Sequence, residues 1–128
     1  MTHSRPHIDL AMARVVHSTG DLVEVRIGPL VRIDPAGTRE ALQACRTFLG
    51  ARKGPILFVV EGDPAWDPAL LQVDHFTEFG GTIQAVGVVV TNKVLALAAN
   101  TYFSLFPPDF PIRIDHDEVA VRAWLAAT

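Results

Sequence analysis

The 128 residues contain one cysteine, Cys45. Without a second thiol no intramolecular disulfide can form, and a cysteine-based metal site is excluded. Long apolar runs are also missing. The longest, around residues 94–99, falls far short of the roughly 20 residues that cross a bilayer. The start, MTHSRPHIDL, has no apolar core of the secretory kind, so a cytoplasmic location is expected. Basic charge is scarce: eleven Lys and Arg stand against fourteen Asp and Glu, a net of −3, with the signs interspersed. Nucleic acid and anionic membranes call for a basic stripe, so neither nucleic-acid binding nor membrane insertion is expected. The phosphate loops GxGxxG and GxxxxGKS/T and the nucleophile elbow GxSxG are absent. Ser4, Ser18 and Ser104 have no positional link to a His–acid pair. The chain reads as a non-enzyme with no catalytic residue, no metal and no cofactor.

What is present is an ordinary globular composition, 49% hydrophobic and 20% charged. At this length a single domain, residues 1–128, buries enough surface to fold unaided, with residues 1–7 expected to be flexible. IDLAMARVVH (8–17) and LVEVRIG (22–28) alternate around the Gly20 turn and predict a hairpin. Val23, Val25 and Ile27 share its apolar face, and Leu22, Glu24 and Arg26 share an exposed one. Asp34-Pro35 is a helix start. Leu42, Cys45 and Leu49 form the apolar stripe of that helix, which places the thiol in a buried, inert setting, and Gly50 ends it.

PILFVV (55–60) and TIQAVGVVVT (82–91) are apolar without alternation, the mark of strands covered on both faces. Between them Asp67-Pro68 repeats the helix start, with Leu70, Val73, Phe76 and Phe79 leading to Gly80-Gly81. Thr91 or Asn92 caps a helix to about Leu105. PIRI (111–114) is a short strand, and Asp115 caps a closing helix with Val119, Val121, Trp124 and Leu125 on or near its buried side. The order β-β-α-β-α-β-α-β-α predicts an α/β fold: a mostly parallel central sheet, an antiparallel N-terminal hairpin strand and helices on both faces.

Three clusters bear on function. VVEGDPAWDPALL (59–71) leaves a buried strand and brings Glu61, Asp63 and Asp67 together with Trp66. In an open α/β sheet the carboxyl ends of the strands are where ligands bind. These four residues are therefore candidates for a partner or ligand site, against the alternative that the acids cap a helix and Trp66 lids the core. Asp74, His75 and Glu78 read as the wet side of a helix, and the acids of 115–118 as complements to a helix dipole. In NKVLALAANTYFSLF, Lys93, Asn100 and Ser104 leave only a narrow polar stripe, and the apolar arc is wider than a surface helix needs. Either this helix lies unusually deep, or Leu95, Tyr102, Phe103 and Phe106 meet a second chain or an apolar ligand. A homodimer is expected on that ground.

The element order, and above all NTYFSLF-PPDFPIRI-DHDEVAVRAWL, resembles the STAS domains and their SpoIIAA-like relatives, including bacterial proteins labelled STAS/SEC14-like. The resemblance implies a SpoIIAA-like fold and a regulatory domain that binds a protein partner. In anti-anti-sigma STAS domains a Ser or Thr after the central strand is phosphorylated. The matching segment here, Glu61 to Val73, contains neither, so that switch does not carry over. The SEC14 side implies instead a module for a small apolar, lipid-like ligand. A regulatory interaction domain, an apolar-ligand module and, third, an enzyme of another kind are the functions left to separate.

Overall fold

A computed structural model describes residues 5–128. Six strands form the main sheet in the order β1-β2-β3-β5-β7-β8: β1 (His7–Asp9), β2 (Ala13–His17), β3 (Val23–Ile27), β5 (Gly54–Val60), β7 (Ile83–Val90) and β8 (Ile112–Asp115). The first three pair antiparallel and the rest parallel. The segment read as one strand, 8–17, is itself a hairpin, because Leu10–Met12 turn the chain and the Leu10 N–H donates to the Ala13 carbonyl at 2.8 Å. His7 opens β1, and residues 1–4 of the expected flexible start lie outside the described residues. A second, two-stranded ladder pairs β4 (Arg32–Ile33) in parallel with β6 (Ala65–Trp66).

Helix α1 (Pro35–Leu49) begins and ends where its sequence signals it: Asp34 accepts from the Gly37 N–H at 2.6 Å, and Gly50 closes it at φ 63°. Helix α2 (Lys93–Leu105) is capped by Asn92, whose side-chain oxygen accepts from the N–H groups of Val94 and Leu95. Helix α3 (Glu118–Ala126) is capped by Asp117 rather than Asp115. Asp115 instead ends β8 and accepts from the N–H groups of His116 and Asp117. Val121 and Leu125, one turn apart, face the sheet, whereas Val119 is 77% exposed.

The main departure lies between β5 and β7. No α-helix forms from Asp67 to Phe79; the chain makes two 3-10 turns, Pro68–Leu71 and Thr77–Phe79. The apolar positions 70, 73, 76 and 79 do not share one buried face: Phe76 and Phe79 are buried, whereas Val73 is exposed. Asp74 completes the interruption, because its carboxylate accepts from the Phe76 and Thr77 N–H groups and starts a new turn.

The core has two parts. α1 and α2 cover one sheet face, where Val25, Ile56, Phe58 and Val86 meet Leu42, Leu49 and Tyr102. α3 covers the other, where Val121 and Leu125 lie on Leu57, Val59, Ala85 and Val89. Cys45, on the inner face of α1, is fully buried, and burial pushes its thiol up to about 12, so it stays protonated.

Candidate functional site

The four residues after β5 do not converge on one point. The Glu61 N–H donates to the Ile27 carbonyl at 2.9 Å, and its exposed carboxylate stands 3.9 Å from Arg26. Gly62, at φ 64°, turns the chain beneath Pro29. Asp63 accepts from the Asn92 side-chain N–H at 2.7 Å and so braces the cap of α2. Asp67 accepts from the Ala69 N–H at 2.9 Å and lies 3.8 Å from Arg32. It is a cap, on a 3-10 turn instead of an α-helix. The acids thus hold three pieces of backbone in place. Trp66 alone of the four turns to a shared space.

That space is a cleft of about 140 Å³ at the carboxyl ends of β3, β5 and β7. Its floor is Ile27, Phe58, Val60, Val88 and Val90; its far wall is Leu95, Ala98, Ala99, Tyr102 and Phe103 of α2; its roof is Trp66, Leu70, Leu71, His75 and Phe76 of the irregular segment. The surface it offers is almost wholly carbon. The two lining hydroxyls and one His75 ring nitrogen have partners within the protein. Thr38 donates to the Asp34 carbonyl at 2.9 Å. A His75 ring nitrogen lies 3.0 Å from the Leu70 carbonyl, and the ring stacks on Tyr102 at 5.5 Å. The Tyr102 hydroxyl accepts from the His75 N–H at 2.7 Å and donates to Asp74 at 3.3 Å. Burial, with the Asp74 carboxylate beside it, pushes this phenol up to about 12. At neutral pH it is a neutral hydrogen-bonding strut, not a base. Burial raises the Asp74 carboxyl, but hydrogen bonds from Thr77, Phe76 and Tyr102 outweigh this and hold it below the ordinary aspartate value.

Of the α2 residues assigned to an interface, Leu95 and Tyr102 are buried in the chain itself and Phe103 and Phe106 are partly buried against the core. The apolar residues α2 leaves exposed are Val94, Leu97 (67% exposed) and Leu105. The wide arc therefore has two destinations, an inner one on the cleft and an outer one on the surface. The trio Asp74, His75 and Glu78 does not share a helix face: His75 roofs the cleft, and Glu78 pairs with Arg39 on α1.

On the opposite face of the sheet lies a residue the strand pattern misplaces. Glu24 was expected on an exposed face, yet its side chain is only 3% exposed. Arg26 and Arg122 donate to its Oε1 at 2.9 and 2.7 Å, and Glu118 in turn binds Arg122 at 2.8 Å. Its Oε2 is buried with no hydrogen-bond partner among the described residues, the Arg5 guanidinium standing 3.7 Å away. The burial comes from α3, almost a hundred residues further on, which local alternation cannot reveal.

No helix among the described residues is long and apolar enough to cross a membrane. No family model matches the chain, and no curated protein matches it. Among solved structures it is similar to the crystal structure of an uncharacterized protein from the DUF3478 family, with a SpoIIAA-like fold, from Shewanella loihica PV-4. The likeness covers 98% of this chain and 99% of that one at a TM-score of 0.58 and 12% identity. The sheet order, the opening antiparallel strands and the helices on both faces are those of a SpoIIAA-like α/β domain.

Proposed function

We propose that the chain is a non-catalytic binding domain that takes a small apolar molecule into the cleft between α2 and the carboxyl ends of the sheet. The carbon-walled cleft carries this reading: an apolar void of about 140 Å³ leaves its lining without partner atoms, and a hydrophobic guest restores them. Its polar side chains Thr38, His75 and Tyr102 are engaged with the protein, so they hold the frame rather than a polar ligand.

The test is a thermal and chemical denaturation series with toluene, methylcyclohexane and decane. A compound that binds only the folded state, present at about 100 times its Kd, stabilises the protein by about 2.7 kcal/mol. At least one should do so. Ala99→Phe, which places a ring in the cleft from a half-exposed position, should abolish the effect while leaving the far-ultraviolet spectrum unchanged. Equal stabilisation of both proteins, or of neither, removes the cleft as the site.

A second reading, a regulatory domain that meets a protein partner or a second copy of itself, is favoured by the exposure of Val94, Leu97 and Leu105 on the outer side of α2. Light scattering coupled to gel filtration at micromolar concentration addresses self-association. A species of twice 13.9 kDa that reverts to monomer in Leu97→Glu supports it, and a monomer in the unaltered protein counts against a homodimer.

A further inference from the structure

We infer that the molecule held in the cleft is a compact aromatic ring, not an acyl chain or a headgroup-bearing lipid. The inference rests on the cleft being a ligand site, as proposed above, and adds the class of ligand. Three observations carry it.

The first is size. A volume of about 140 Å³ is close to that of an engineered protein cavity of roughly 150 Å³ that takes up benzene, and below the roughly 300–1,000 Å³ of pockets for drug-sized ligands. One ring, with a small substituent, fills it. A long chain would have to leave most of its length in water.

The second is the arrangement of the aromatic side chains. Phe58 meets Phe76 edge-on at 6.0 Å and 70°, Phe76 is tilted 54° to Tyr102 at 5.8 Å, and Tyr102 is 81° to Phe103 at 5.0 Å. Successive rings turned across one another present edges and faces together, which is what a further ring needs to satisfy its own quadrupole. An aliphatic molecule of the same shape buries the same area and gains nothing from that arrangement.

The third is that the walls expose almost no polar atom to the cleft. The Tyr102 hydroxyl is occupied by the His75 N–H and Asp74, and the Thr38 hydroxyl by the Asp34 carbonyl. A carboxylate, phosphate or ammonium drawn into this cleft would be desolvated without a partner.

Toluene and methylcyclohexane share a carbon skeleton, but the saturated ring leaves water more readily. Each affinity is therefore corrected for the compound's own water-to-hydrocarbon transfer, and the corrected ratio isolates the claim. On that scale toluene is expected to bind at least about fivefold more tightly, as one or two edge-to-face pairs imply, and decane and octanoate more weakly than either. In Phe103→Leu, which alters a half-exposed ring of α2, the ratio should fall towards one while methylcyclohexane binding persists. Equal corrected affinities for the two rings in the unaltered protein, or tighter binding of decane or octanoate, overturns the aromatic class and leaves the cleft as an apolar site. Failure of every probe to bind overturns both readings.

Discussion

Gly87→Ala is expected to destabilise the fold by about 2 kcal/mol, and Gly87→Val by more than about 3 kcal/mol, in urea denaturation. Gly87 lies in β7, between Leu57 of β5 and Arg113 of β8, on the face that α3 covers. A Cβ built there would overlap Cγ1 of Val121 and come within 3.1 Å of Cδ1 of Leu125. Those are the two fully inward residues of α3, so a methyl at 87 lifts the helix off the strand or bends the strand away from it. In an unconstrained strand the same change would gain roughly 0.5–1 kcal/mol of backbone entropy, so the net loss measures the overlap. The overlap also predicts coupling. In a Val121→Ala background, which removes the nearest methyl, Gly87→Ala should cost at least about 1 kcal/mol less than it does in the unaltered protein. If the two costs are equal, close packing of α3 is not what requires glycine there.

Most of the fold was legible because it is written in local chemistry. Asp34-Pro35 and Gly50 bound α1, Asn92 starts α2, and uninterrupted apolar runs mark the two strands covered on both faces. The failures occur where local patterns compete. Leu70, Val73, Phe76 and Phe79 satisfy a coarse helical pattern, but the carboxylates of Asp67 and Asp74 each start a short turn of their own. In DHDE, two aspartates could each have capped α3, and only the course of β8 decides for Asp117. The cleft is less legible still. Its residues, Val, Ile, Phe and Ala, are those of any core, and nothing in a residue type says that the space between them is unfilled. Trp66 alone gave a signal, an aromatic at the end of a strand. For Tyr102 the wide apolar arc leaves deep burial, a second chain and an apolar ligand all open, because the helix has two sides to cover. The partner of its hydroxyl, the His75 N–H, depends on a turn that had been read as helix.

The ionised form of Glu24 is expected to stabilise the protein, and the effect should vanish in acid. Burial alone would raise this carboxyl, but the hydrogen bonds and charge of Arg122, with the hydrogen bond from Arg26, outweigh it and hold Glu24 below the ordinary glutamate value. A carboxylate whose pKa is lower in the folded chain than in the unfolded one contributes fully above the unfolded value, and the contribution is lost as pH falls through the folded one. Glu24→Gln keeps the shape and removes the charge, so it should cost on the order of 1–2 kcal/mol at neutral pH. Glu24→Ala should cost about 2–3 kcal/mol, because it also removes the oxygen that accepts from Arg26 and Arg122 and leaves a gap beneath α3, with Glu118 and the exposed Glu61 as their remaining anions. The gap between the unaltered protein and Glu24→Gln should narrow steadily as the pH drops below the ordinary glutamate value, since protonation makes the two side chains equivalent in charge. Asp74 and Asp115, also held low, titrate in both proteins and cancel in the difference. Urea midpoints at four pH values measure the gap directly. A gap that stays constant into acid would mean that the cost of Glu24→Gln comes from the amide put in the carboxyl's place, and that the guanidinium groups of Arg26 and Arg122 do not draw their stabilising effect from the Glu24 charge.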